Sequence, residues 1–487
     1  MMNVRKFGIY FLLPLLFSAA LLAGTLYIPN MQPFRDSSGY IATYSANGNI
    51  DQSNPFFQSL GTNGRTCATC HQASQAFGLN AEKIQALFQQ TNGQDPLFAP
   101  IDGANCPNDP QGDPASHTLL LQHGLIRIGL TMPDNPEFSL TVVHDPYGCA
   151  ITTDPQTGKQ VVSVYRRPQP STNLGFLSTV MFDGRETIVP LNDGATFAQN
   201  LKTDLTHQAL DAVLTHAQAS RPPSLQQLAE IVQLESGLYT GQYVDDQAGP
   251  LMMDGGNGGP QFLSTQQYYP GINDSLGGDP NGGTFDSSAM KLYDQWLQSD
   301  DRPNYDDARA MIAAGEQIFN SSNLVITAVR GLNDNPQLNY PPVLNGTCTT
   351  CHDTPNVGNH SLPLPLDIGT SHSVTFEGNS RIAAGLSQLN SPDVPIYLIT
   401  GCTNPQNPAQ HLTFYTSDPG KGLISGRCVD VNRGKGPVLR GLAARAPYFH
   451  NGSAPDLEHL VNFYNNRFSM NLSDQQKQQL VAFLKSL

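Results

Sequence analysis

Two five-residue segments constrain this chain more than any other feature: Cys67-Ala68-Thr69-Cys70-His71 and Cys348-Thr349-Thr350-Cys351-His352. Each sets two thiols three positions apart and places an imidazole directly after the second. On one helical turn such thiols can each form a thioether to a haem vinyl, and the adjacent histidine turns its ring to the iron. A zinc site would use both Cys pairs together and would give no reason for a His after each. A thioredoxin-like redox pair would sit in a βαβ pattern, which is not found here. The segments therefore read as two covalent haem c sites, tethered by Cys67, Cys70, Cys348 and Cys351, with His71 and His352 as proximal iron ligands.

Four of the eight cysteines remain: Cys106, Cys149, Cys402 and Cys428. They are even in number and two lie in each half. In an oxidising compartment, Cys106 with Cys149 and Cys402 with Cys428 is the most economical pairing; free structural thiols are the alternative. The N-terminus supplies the compartment. Arg5 and Lys6 precede an uncharged stretch from Phe7 to Gly24 that ends in small residues, the pattern of a secretory signal over 1–24 and hence of export. An uncleaved anchor is the alternative reading of the same stretch, and only then would the chain meet a membrane.

The 487 residues are enough for two or three domains. With 26 Lys and Arg against 40 Asp and Glu, the net charge is −14, and no basic cluster is available to neutralise nucleic-acid phosphates. Only 14% of residues are charged, while 44 Gly and 37 Pro imply short helices joined by long, turn-rich connections.

A Gly-, Pro-, Asn- and Asp-rich stretch over 246–286 separates two similar halves, 25–245 and 287–487. Phe182 stands twelve positions after Pro170 in one half, and Phe449 twelve positions after Pro437 in the other. Asp204-Leu205-Thr206-His207 and Asp456-Leu457-Glu458-His459 each read as a helix start, and amphipathic patterns over 224–239 and 472–487 end the halves. The expected fold is mainly α, with two tandem haem-wrapping helical domains carrying long Gly/Pro-rich loops. Leu140-Thr141-Val142-Val143 and Val161-Val162-Ser163-Val164 read as a small hairpin outside the core.

The haem motifs, Phe182-Asp183-Gly184-Arg185, Leu439-Arg440-Gly441-Leu442 and Ala446-Pro447-Tyr448-Phe449-His450-Asn451-Gly452-Ser453 together resemble the bacterial di-haem cytochrome c peroxidase superfamily, which includes the MauG-like enzymes. The resemblance implies two tandem cytochrome-c-like haem domains in the periplasm, with an N-terminal haem that reacts with peroxide. It also implies a C-terminal haem that takes electrons from a small donor protein, a cytochrome or a cupredoxin. Family members usually carry Trp before Asp-Gly-Arg, but here Phe182 stands there and the single Trp is Trp296, so a tryptophan relay at that place is excluded. The family position of the C-terminal distal Met is held by Tyr464, as in MauG-like enzymes. A phenolate there would lower the iron's potential relative to Met. Met470 is the other candidate ligand, and Tyr464 as an ordinary core aromatic is the third reading.

On the N-terminal distal side the family has a Gln and, ten residues later, a Glu that moves peroxide protons. Gln208 matches the first, but Gln218 stands at the second and cannot shuttle a proton, which leaves His216 as acid/base, as iron ligand or as a surface residue. His117, His123 and Met132 are further candidate ligands, and His360 is either a haem-propionate cap or a loop residue. An interdomain calcium is common in the family; Asn273, Asp274 and Asp279 are candidate donors and equally turn formers. Two functions compete: a peroxidase-type enzyme, with MauG-like or oxygenase chemistry as variants, and a non-catalytic di-haem electron carrier.

Overall fold

Valine- and threonine-rich runs with a two-residue period find strand partners far away in sequence, and this decides the architecture. In the computed structural model, which describes residues 26–297, 306–372, 385–386 and 389–487, the strand Ser139–His144 pairs antiparallel with Ile396–Asn404, which pairs in turn with Asn407–Thr416. The strand Gln160–Arg166 is the centre of a different three-stranded sheet, between Ile126–Thr131 and Ile151–Thr153. The two runs expected to form one hairpin therefore lie in separate sheets. Val162 and Val164 are fully buried between those sheets, and the hydroxyl of Tyr397 donates to the carbonyls of Ala150 and Ser163 at 3.0 and 2.6 Å, clamping one sheet to the other.

A further antiparallel sheet runs in the order Gly249–Pro250, Leu238–Asp245, Gly39–Ser45, Phe34–Arg35. The fold is thus 31% helical with 18% strand, and the expectation of a mainly α chain is corrected. Local periodicity shows a strand only as a short run; its partner, about 250 residues away for Ser139–His144, turns that run into a sheet.

The longer helices behave as their caps dictate. Ser224 opens Leu225–Ser236 and Ser473 opens Asp474–Lys485, each by a reciprocal capping box with a Gln three residues on. Asp456 caps Leu457–Arg467 by accepting from the His459 amide. Asp204 does not start a helix. It lies within Phe197–Thr215, fully buried, and its carboxylate accepts the amides of Ile188 and Val189 at 3.1 and 2.9 Å. Helix Asp306–Ser321 crosses Asp474–Lys485 at Gly315, where a Cβ would stand 2.0 Å from the Gln479 carbonyl, so only glycine permits the approach.

One apolar core gathers Leu201, Leu205, Leu228 and Ile231 around the first Cys-containing turn. Another gathers Ile312, Val461, Val481 and Phe483 near the second. Cys106 is bonded to Cys149 and Cys402 to Cys428. The 1–24 segment lies outside the described residues, among which no helix is long and apolar enough to cross a membrane.

Candidate haem centres

Both Cys-x-x-Cys-His segments are held by the same local device. Thr66 and Thr69 exchange hydrogen bonds between side chain and backbone around the turn Cys67–Cys70, and the Thr347 amide donates to Thr350 Oγ1 at 2.9 Å around Cys348–Thr350. The histidine that follows is oriented in the same way at both sites. His71 Nδ1 donates to the Phe77 carbonyl at 3.1 Å and His352 Nδ1 to the Gly358 carbonyl at 2.6 Å, six residues on in each case. A proton fixed on Nδ1 leaves Nε2 as the lone-pair nitrogen, the arrangement of a metal-binding histidine and its supporting carbonyl. Burial lowers both imidazoles to about 4, which keeps them neutral. The four cysteines carry no disulfide, and burial pushes their thiols up.

Each segment opens on its own cavity. The first is lined by Cys67, Cys70 and His71, the second by Cys348, Cys351 and His352. Thiols at one edge, an imidazole with Nε2 unprotonated and a wide apolar wall fit a covalently tethered haem. Among the described residues no group of three or more His, Cys, Asp or Glu side chains converges as a metal site of its own. Asn273, Asp274 and Asp279 are engaged as turn formers: Asp274 accepts the Leu276 and Gly278 amides, Asp279 accepts those of Asn273 and Asn281, and Asn273 donates to the Asp286 and Asp353 carbonyls.

Gln208 and His216 both reach the wall of the first cavity. Helix Phe197–Thr215 stops just before His216, and Gln218 leaves in a left-handed turn, φ 53°, to accept from Asn63 at 3.3 Å, outside that wall. His216 Nδ1 donates to Asp102, whose other oxygen accepts from the Arg65 guanidinium. Burial pushes the Asp102 carboxyl up, but the His216 hydrogen bond and the Arg65 charge outweigh it and hold it below the ordinary carboxylate range. Asp102 and Arg65 carry no motif, and the sequence reading missed both.

Tyr464, Met470 and His360 line the second cavity. Tyr464 packs against Phe449, Phe463 and Phe468, and burial among these rings raises its phenol. Only a cation in the cavity would reverse that preference. His360 is 4% exposed, with its Nδ1 3.4 Å from Asp353 Oδ2. The other candidate ligands lie elsewhere. The ring nitrogens of His117 face the carbonyls of Asp113 and Phe98, His123 Nδ1 faces the Gly452 carbonyl, and Met132 packs between the two three-stranded sheets.

Phe182 belongs to the walls of both cavities. It is stacked on His450 with centroids 4.5 Å apart and planes within 10°, and the Arg166 guanidinium lies 4.9 Å from its ring centroid. Arg166 in turn pairs with Asp183 and with Asp418, both buried. The ring between the cavities is therefore held rigidly by aromatic and ionic contacts.

These features fit haem c held at Cys-x-x-Cys-His attachment sites. A RoxA-like, cytochrome c-like family model matches residues 435–470. The cytochrome-c peroxidase IdrP2 of Denitromonas iodatirespirans is 30% identical over 154 residues, covering 29% of this chain and 36% of that protein. A MauG-like protein associated with microbial copper homeostasis overlays 70% of this chain and 79% of its own at 14% identity, with a TM-score of 0.29, too low to define a shared fold. The resemblance to the di-haem cytochrome c peroxidase and MauG-like superfamily stands on the family model and the peroxidase relative, together with the motifs.

Proposed function

We propose that the chain is a periplasmic di-haem c-type oxidoreductase of peroxidase type. One haem sits on Cys67, Cys70 and His71 in an N-terminal unit, 25–245, and the other on Cys348, Cys351 and His352 in a C-terminal unit, 287–487. The stretch 246–286 joins the units, and the 1–24 signal is removed on export. Peroxide is the substrate in the first cavity, and a small donor protein, a cytochrome or a cupredoxin, supplies electrons by way of the second. When bound, the haems supply the one-electron redox chemistry.

The observation that carries this reading is the line Arg65, Asp102, His216 ending at the wall of the cavity that also holds His71 and Gln208. Reduction of hydrogen peroxide to two waters consumes two electrons and two protons. His216 moves protons through Nε2, because Nδ1 is engaged with Asp102. Gln208 orients the peroxide by its amide, and Leu205, Ala209 and Val213 keep that wall apolar.

Ferric and half-reduced protein, examined by visible and EPR spectroscopy with and without peroxide, tests the reading. A five-coordinate high-spin haem whose spectrum changes within the mixing time is expected. Two low-spin six-coordinate haems that stay inert to peroxide after one-electron reduction would favour the electron-carrier function.

Tyr464 on the wall of the second cavity favours a second reading, in which the chain oxidises another substrate as MauG-like enzymes and oxygenases do. A phenolate ligand favours ferric iron, so Tyr464→Met is expected to raise the potential of the C-terminal haem in a spectroelectrochemical titration. An unchanged potential would assign Tyr464 to packing and leave Met470 as the ligand.

A further inference from the structure

The segment Arg167-Pro168-Gln169-Pro170 runs between the two cavities and forms part of the wall of each. Among the described residues Arg167 is the one charged side chain common to both walls. Its neighbour Arg166 is paired with two carboxylates, whereas Arg167 has none within ion-pair distance among the described residues. It donates through Nη1 to the Arg445 carbonyl at 2.6 Å and through Nη2 to the Leu79 carbonyl, and its Nε is buried without a partner.

Two more cations line the second cavity without a carboxylate. Lys435 donates from Nζ to Gln169 Oε1 at 2.9 Å, and Arg445 donates to the Val438, Arg440 and Gly441 carbonyls. Three partly buried positive side chains around one seam are hydrogen-bonded to neutral oxygens and, among the described residues, have no carboxylate in ion-pair contact, which leaves them open to a direct counter-ion. Burial pulls all three down from their ordinary values, Arg167 to about 9, Lys435 to about 8 and Arg445 to about 10.

We propose that Arg167 is a shared counter-charge for both haems, pairing with a propionate carboxylate from each cavity, while Lys435 and Arg445 serve the second cavity alone. The proposal rests on the two-haem reading above. A fixed positive charge beside two redox centres favours the reduced form of each, so one side chain sets part of both potentials.

The test uses the exported holoprotein, with its haem content counted by pyridine haemochrome, and reads midpoint potentials by spectroelectrochemistry. Arg167→Gln is expected to lower the potentials of both haems, and Lys435→Gln that of the C-terminal haem only. Should Arg167→Gln not accumulate, Arg167→Lys decides: it keeps the charge but loses the two-pronged contact, so both potentials fall by less. With two haems present, a shift at one haem alone, or at neither, in an Arg167 variant overturns the proposal. A wild-type count below two overturns the two-haem reading and takes this proposal with it.

Discussion

Replacing Cys67 and Cys70 together with alanine is expected to halve the haem content of the exported protein and to abolish peroxide reduction, while the spectrum of the C-terminal haem persists. Removing the thiols takes away both thioethers, and His71 alone does not hold a haem against loss during export and purification. The first cavity then has nothing to fill its apolar wall, so Leu177, Val180, Leu205 and Val213 lose packing partners on that side. Greater protease sensitivity of the N-terminal half is expected to accompany the missing haem. The measurement is a pyridine haemochrome assay beside a peroxide-consumption assay on the double variant. A full haem complement would refute attachment at Cys67 and Cys70, and unchanged turnover with half the haem would place the peroxide chemistry at the other site.

What could be read from the sequence follows from how local its cause is. The attachment segments are legible because thioether chemistry fixes five consecutive residues, and the disulfides because four remaining thiols allow few pairings. Gln208 and His216 were placed together by helical periodicity, and they do share one wall. Asp102 stands 114 positions from His216, in the short turn Pro100–Gly103, and nothing near either residue announces the contact. The sheets were missed for a related reason. The strand Ser139–His144 becomes a sheet member only through Ile396–Asn404, and no turn signal links them. Asp204 shows the converse error, in which a residue type typical of helix starts was recruited by tertiary structure to satisfy the Ile188 and Val189 amides from mid-helix.

Proton movement at the first cavity should depend on His216 more than on any other side chain there. General acid–base catalysis by a positioned histidine is worth ~10²–10⁴-fold, so His216→Ala is expected to slow the bimolecular reaction with peroxide by about that factor, without loss of either haem. Asp102→Asn keeps a hydrogen-bonding group beside Nδ1 but removes the charge that stabilises a protonated ring. A loss of roughly 10–100-fold is expected, the range seen when the partner that orients a functional histidine is changed. The sign of the pH dependence follows from Asp102. Its folded-state pKa lies below the ordinary value, so it stays a carboxylate above the normal carboxylate range, and the stabilisation it gives the fold and His216 is lost only as pH falls through that lowered pKa. Asp102→Asn, which cannot be protonated in this way, is therefore expected to lose the acid-side fall in rate that accompanies protonation of the carboxylate. Stopped-flow rates against pH for the wild type and both variants, each with two haems by pyridine haemochrome, read this directly. If His216→Ala retains the wild-type rate, the proton passes through another group and His216 is only a wall of the cavity.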